Sequence, residues 1–78
     1  MNGYSIRVAE AVRRADGNLL GAQLGRVCID QDIPVMEVAA EMKVSRQTVY
    51  SWFLGRAVPA SKHVPMIEEF IRLRSSAT

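Results

Sequence analysis

The chain has 78 residues, a formal net charge of +2 and one cysteine. This length fits a single small domain, 1–78, with little stability to spare, and one cysteine excludes an intrachain disulfide. No apolar run approaches the roughly 18 residues of a membrane span, and the first residues lack the basic-then-apolar pattern of a signal peptide. We therefore expect a cytoplasmic protein without membrane contact, in which Cys28 is a reduced, buried thiol.

The first predicted helix covers about residues 5–15, with Ser5 as its N-cap. Gly17 is expected to end this helix at the C′ position, and Asn18 to cap the next one. Residues 1–4 are expected to be loose. The apolar stripe of this helix consists of Ile6, Ala9 and Val12, with Val8 beside them.

The second predicted helix covers about residues 19–31. Gly21 and Gly25 lie one turn apart on one flank, where each costs roughly 1 kcal/mol relative to alanine. Either another helix approaches closely at this flank, or both glycines face solvent. The apolar positions of this helix are Leu20, Leu24, Val27 and Cys28, with Ile29 near the edge.

Residues 35–54 predict two short helices joined by a tight turn at residues 42–44. The first runs from Pro34 to Met42, and the second from its cap Ser45 to Leu54. This is the pattern of a helix-turn-helix, whose second helix enters the DNA major groove. Its apolar positions are Val38, Ala39, Met42, Val44, Val49, Trp52 and Phe53, of which the two aromatic residues are expected in the core.

Residues 56–63 predict an ordered loop in which Ala57 and Val58 touch the core. The last helix covers about residues 64–74 and is followed by a frayed tail. Its apolar stripe is wider than one core-facing side needs, so it predicts either a two-fold dimer contact or closure of the core; the N-terminal helix is a rival dimer surface. The stripe contains Ile67, Phe70, Ile71 and Arg74, with Met66 and Leu73 beside it. The predicted fold is all-α, a compact domain of five helices.

Charge is segregated along the chain. Every charged residue between Val27 and Met42 is acidic, and Lys43, Arg46, Arg56 and Lys62 are the charges that follow up to residue 67. A local positive field is what phosphate binding requires, whatever the overall charge.

Residues 35–57, and more loosely 20–73, resemble the Cro/C1-type (lambda-repressor-like) helix-turn-helix family of phages and bacteria. Ala39 is at the family's small position, Val44 is its turn hydrophobe, and Val49 and Trp52 are its core positions in the recognition helix. The phrase SRQTVYSWFLGRAVP resembles the usual ending of the motif. The resemblance implies a sequence-specific transcriptional regulator, a repressor that binds operator DNA.

The chain departs from this family at several positions. Lys43 stands where the family usually has glycine, which implies either a strained left-handed residue or a different turn. Pro34 replaces the usual Ser or Thr cap, and Val35 replaces a frequent glutamine. Two predicted helices precede the motif, where the family more often has one, so the helix at 5–15 is expected to be an addition to the family's fold.

By this resemblance, Arg46 and Gln47 match the principal base-reading positions. Arginine can form two hydrogen bonds with guanine, and glutamine can form two with adenine. The alternative is that Arg46 and Gln47 are ordinary solvent-exposed residues at the start of a helix. Ser45 is a further base-contact candidate, and Thr48 is expected to face partly inward and to contact a phosphate or a thymine methyl. The phosphate-contact candidates are Tyr50 (or surface packing for its ring), Ser51, Arg56, Lys62 and Lys43.

No catalytic or metal-binding constellation is evident, because His63 is the only histidine and no glycine-rich phosphate cradle exists. We therefore expect a non-enzyme without cofactor or small-molecule ligand. Its expected partners are double-stranded DNA with a pseudo-palindromic operator and a second copy of the chain, through Phe70, Ile71, Arg74 and Ile67. The alternative is a helical module that docks on polymerase or another regulator.

Overall fold

The computed structural model describes residues 4–75, which form five helices and no strand. Of the tail expected at 75–78, Ser75 belongs to the last helix, and residues 76–78 lie outside this range, as do the first three residues. The all-helical prediction is thus confirmed, and none of these helices has the length and apolarity needed to cross a membrane. The helices are α1 (Ile6–Arg14), α2 (Leu20–Asp30), α3 (Val35–Met42), α4 (Arg46–Phe53) and α5 (Val64–Ser75).

The second helix, α2, is the centre of the fold. It packs against α1, α4 and α5, and α3 packs against α4. Trp52 and Phe53 of α4 are buried in the shared core, which confirms their predicted place. Around them lie the other buried apolar residues, among them Val12, Leu24, Cys28, Val38, Met42, Val49 and Ile67.

Two glycines of α2 allow α4 to approach closely. A Cβ atom at Gly21 would lie 2.4 Å from the backbone oxygen of Trp52, and one at Gly25 would lie 2.9 Å from ring carbon Cγ of Phe53. Both glycines are buried. The close-approach explanation for this pair therefore holds, and the solvent-facing one is wrong.

The first helix begins as predicted, but its apolar stripe differs. The Ser5 hydroxyl accepts a hydrogen bond from the Val8 N–H at 3.2 Å. Val12 is fully buried, whereas Ile6 is 78% exposed, so the assignment of Ile6 to the packed stripe is wrong. Successive residues are 100° apart on a helix, which places Ile6 about 110° from the centre of the face formed by Val8, Ala9 and Val12.

Residue 4 is held in place, contrary to the prediction of a loose start. The Tyr4 hydroxyl donates to the backbone oxygen of Ile33 at 2.6 Å, and its ring lies 6.3 Å from that of Phe53. This contact ties the start of α1 to the connection between α2 and α3.

The connection between α1 and α2 also differs from the prediction. Gly17 does not adopt a positive φ, and the N-cap of α2 is Leu19 rather than Asn18. The backbone oxygens at the end of α1 are bound instead by a side chain of α2. The Arg26 guanidinium donates to the oxygens of Arg13 and Ala15 at 3.0 and 2.9 Å.

Three helices end in the same arrangement, the Schellman motif, in which a residue with positive φ follows the helix. These residues are Asp32, Lys43 and Gly55, with φ of 56°, 59° and 75°. In each case the next N–H donates to an oxygen five residues earlier: Ile33 to Cys28 (2.8 Å), Val44 to Ala39 (3.0 Å) and Arg56 to Ser51 (2.9 Å).

The loop before α5 contacts the core through a different residue than predicted. Ala57 is exposed and Val58 is 77% exposed, so their predicted core contacts are wrong, and Pro59 is buried instead. The N–H groups of Arg56 and Ala57 both donate to the Ser51 oxygen. The chain therefore folds back against the end of α4 before Pro59 turns inward.

Candidate nucleic-acid interface

The turn between α3 and α4 is formed as the apolar pattern predicts. Lys43 has φ 59° and ψ 45°, the left-handed conformation that an L-residue adopts at a cost of roughly 1–2 kcal/mol. Val44 is half-buried against the core. Of the two alternatives for this turn, the strained residue is the one observed, and it aims an exposed lysine outward next to α4.

The start of α4 is fixed by a serine cap. The Ser45 hydroxyl accepts from the Thr48 N–H at 3.1 Å, and the two side-chain oxygens are 2.9 Å apart. Thr48 is half-buried, in agreement with its predicted partly inward position. Because these hydroxyls are engaged with each other, they are less free to bind a ligand than the two residues between them.

Arg46 and Gln47 lie on the exposed side of the first turn of α4. Neither forms a side-chain hydrogen bond or ion pair with another residue of the described chain. The opposite side of α4 is buried through Val49, Trp52 and Phe53. The helix thus has a rigidly packed back and two long, free polar side chains at the front.

The second turn of α4 contributes Tyr50 and Ser51, both half-buried. The Tyr50 ring lies edge-on to Phe53, with 6.3 Å between ring centroids and an interplanar angle of 76°. The Tyr50 ring therefore packs against a neighbouring side chain, which was one of the two expectations for it. The phosphate contact of its hydroxyl stays a prediction. The Ser51 backbone oxygen accepts the N–H groups of Arg56 and Ala57.

The cations of the chain fall into two groups by their contacts. Outside residues 43–62, most arginines are engaged: Arg13 with Asp30, Arg14 with Glu10, Arg72 with Glu69 and Arg74 with Glu37 as ion pairs, and Arg26 with backbone oxygens. Lys43, Arg46, Arg56 and Lys62 are all exposed and form no ion pair within residues 4–75. Arg7 of α1 is the other unpaired cation of that range. The basic segment therefore keeps its charge available.

The predicted dimer residues of α5 are corrected by their burial. Ile67 is fully buried and Phe70 is 5% exposed, so both close the core, and Phe70 also lines a groove between α3 and α5. Ile71 is half-buried, and Arg74 pairs with Glu37 while its guanidinium lies 4.9 Å above the Phe70 ring. The exposed apolar residues of α5 are instead Met66 and Leu73.

The cysteine and the histidine of the chain are fully buried and half-buried, respectively. Cys28 is a free, fully buried thiol, and burial raises its pKa to about 12. The His63 ring lies 5.3 Å from the Trp52 ring, and its Nδ1 atom is buried without a hydrogen-bond partner among the described residues. No group of three His, Cys, Asp or Glu side chains in the described chain is placed to hold a metal ion.

Sequence reasoning overlooked two residues that position the site, Arg26 and Tyr4. Arg26 fixes the end of α1 against α2, and Tyr4 fixes the connection that leads into α3. Arg26 had a recognisable signal, because it is the only charged residue between Leu19 and Ile29. Tyr4 had none, since its partner is a backbone oxygen 29 residues away.

Comparison of the chain with protein-family models, with curated proteins and with solved structures gives no match.

Proposed function

We propose that this protein is a cytoplasmic, sequence-specific DNA-binding regulator of transcription, a repressor of the phage or bacterial lambda-repressor-like type. Its fourth helix would enter the major groove of double-stranded DNA, as the second helix of a helix-turn-helix does. The observation that carries this proposal is the set of four exposed cations from Lys43 to Lys62 that form no ion pair within residues 4–75, on the helix and turns that a helix-turn-helix presents to DNA.

The proposed contacts divide into two kinds. Arg46 and Gln47 read base edges, since their side chains are long, exposed and free, and Ser45 and Thr48 assist at the same end of α4. Lys43, Arg56 and Lys62 bind phosphates and set the position of the protein, and Tyr50 and Ser51 add hydroxyl contacts. Phosphate contacts carry no direct sequence information, so the two groups make separable predictions.

The chain would bind a pseudo-palindromic operator as a homodimer, which places two copies of α4 one turn of DNA apart. Repression follows if the operator overlaps a promoter. The proposal includes no enzymatic activity, cofactor or small-molecule ligand.

The test is selection of bound sites from random double-stranded DNA, followed by binding measurements at several salt concentrations. We expect an enriched inverted repeat and an affinity that falls steeply with salt. Absence of enrichment, together with salt-independent behaviour, would contradict the proposal and favour the alternative of a module that docks on polymerase or another regulator.

Three alanine variants separate the roles on the selected site. Arg46→Ala should relax the preference at one base pair, worth roughly 1–3 kcal/mol. Arg56→Ala should weaken binding to all sequences and lower the salt slope by about one unit. Arg7→Ala is the matched control and should change neither property, because Arg7 lies on α1, is exposed and forms no ion pair with any residue from 4 to 75.

A further inference from the structure

An apolar groove runs between the end of α3 and one side of α5. Its cavity measures about 300 Å³. The buried residues Met42 and Phe70 line it, together with Met66 and Leu73 on the α5 side. Met66 and Leu73 are 42% and 53% exposed although they are large and apolar. The α5 wall has helical spacing, since Met66, Glu69, Phe70 and Leu73 occur at i, i+3, i+4 and i+7. This spacing fits an unpartnered helix face.

The charges along α5 are arranged in two halves. Glu68 and Glu69 lie in the first half, and Arg72 and Arg74 lie in the second. Within one copy Glu69 pairs with Arg72 and Glu37 with Arg74, and these pairs are exposed enough to be shared with a second copy. A second α5 running parallel would place acid beside acid, whereas an antiparallel one would place the acidic half beside the basic half of the other copy. Antiparallel helices also align their macrodipoles favourably.

The groove is self-complementary in shape as well as in charge. Suppose that a two-fold axis passes between Glu69 and Phe70 of two antiparallel α5 helices. Leu73 of each copy then lies at the same height as Met66 of the other copy. One surface thus supplies both the cavity and the apolar side chains that fill it, which is the requirement of a two-fold interface. Glu41 on the α3 rim is exposed and unpaired within residues 4–75, and is available to the basic end of the second helix.

We propose that the α3–α5 groove is the homodimer interface, occupied by α5 of a second copy in antiparallel orientation. The proposal rests on the proposed function, since it supplies the two-fold symmetry that a pseudo-palindromic operator requires. It replaces the buried residues Ile67 and Phe70 with Met66 and Leu73 as the side chains that cross the interface.

The experiment is sedimentation equilibrium of the full chain without DNA, with unfolding curves for every variant. The wild type should be a dimer at high micromolar concentration. Leu73→Asp should raise the dimer dissociation constant about tenfold or more, with little change in unfolding of the monomer, because this side chain is half exposed. Ile6→Asp is the control on the rival surface, α1, and should leave the dimer intact.

A charge exchange tests the orientation of the two helices. Glu69→Arg and Arg72→Glu should each weaken self-association, because each turns the opposite charges at positions 69 and 72 into two like charges that face the same two on the second copy. An equimolar mixture of the two variants should restore dimerisation as a heterodimer. Both side chains are exposed by more than half, so neither change should unfold the domain.

Three results would overturn the proposal: a wild-type monomer, a dimer that survives Leu73→Asp, or single-charge variants that associate no better when mixed. These results are distinct from failure of the proposed function. A monomer that still selects a DNA sequence would support the proposed regulator and contradict this interface. A dimer that binds no DNA would support the interface and contradict the regulator.

Discussion

Lys43→Gly is expected to stabilise the protein while weakening its binding to DNA. Lys43 has a φ of 59°, and a left-handed L-residue costs roughly 1–2 kcal/mol. Glycine removes this strain, but it makes the unfolded chain more flexible, which lowers the unfolding free energy by about 0.5–1 kcal/mol. The net gain in unfolding free energy is therefore about 1 kcal/mol, or about 4–8 °C in melting temperature for a domain of this size.

The loss of binding has a separate cause, the charge. Lys43 is exposed in the turn and has no ion-pair partner in the described part of the chain, so its removal should cost one phosphate contact and reduce the salt slope by about 0.9. Lys43→Ala is the matched variant, because alanine loses the same charge and keeps the backbone strain. It should bind DNA as weakly as Lys43→Gly, with a stability close to that of the wild type.

Urea unfolding and fluorescence anisotropy over a salt series measure the two effects independently. A Lys43→Gly protein that unfolds more readily than Lys43→Ala would refute the strain argument. Unchanged binding in both variants would remove Lys43 from the phosphate contacts and leave the strain unexplained.

The other predictions concern the core and its attachments. Gly21→Ala should lower the unfolding free energy by about 1–3 kcal/mol, because the new Cβ would lie 2.4 Å from the backbone oxygen of Trp52; a stabilised variant in thermal unfolding would contradict the close approach. Tyr4→Phe removes the hydrogen bond to Ile33 and should cost about 1 kcal/mol, and an unchanged urea midpoint would show that this contact is not formed in solution. Burial raises the pKa of the Cys28 thiol from its ordinary value to about 12, so the thiol should lower stability as pH rises from about 9 towards 12, where the unfolded chain loses this proton and the fold keeps it. Iodoacetamide should label it slowly at pH 8 unless urea is added, and rapid labelling of the folded protein would contradict its burial.

The helices could be predicted from the sequence because local patterns determine them. Ser5 and Ser45 cap their helices as expected, and α3 and α4 have the predicted bounds to within one residue. Their core positions follow from helical spacing, since a residue that recurs at i+3 or i+4 remains on one face. The exposed side of α4, with Arg46 and Gln47, follows from the same spacing.

Long-range contacts account for the errors. Gly17 resembles a helix end in isolation, but Arg26 binds the last oxygens of α1 and no left-handed glycine is needed there. Val58 is apolar yet exposed, because the loop returns to the Ser51 oxygen and presents Pro59 to the core. Such outcomes depend on which segments meet, and periodicity contains no information about this.

The wide stripe of α5 shows how one pattern can hold two answers. Dimer contact and core closure are alternatives for a single face, but the structure divides the stripe into two faces that share Phe70. Phe70 is buried in the core together with Ile67, and it also lines the groove together with Met66 and Leu73. Met66 and Leu73 leave about half of their surface in water, and that exposed apolar part adds nothing to the stability of the monomer. The second apolar face is therefore the part of α5 that the monomer's own stability does not explain.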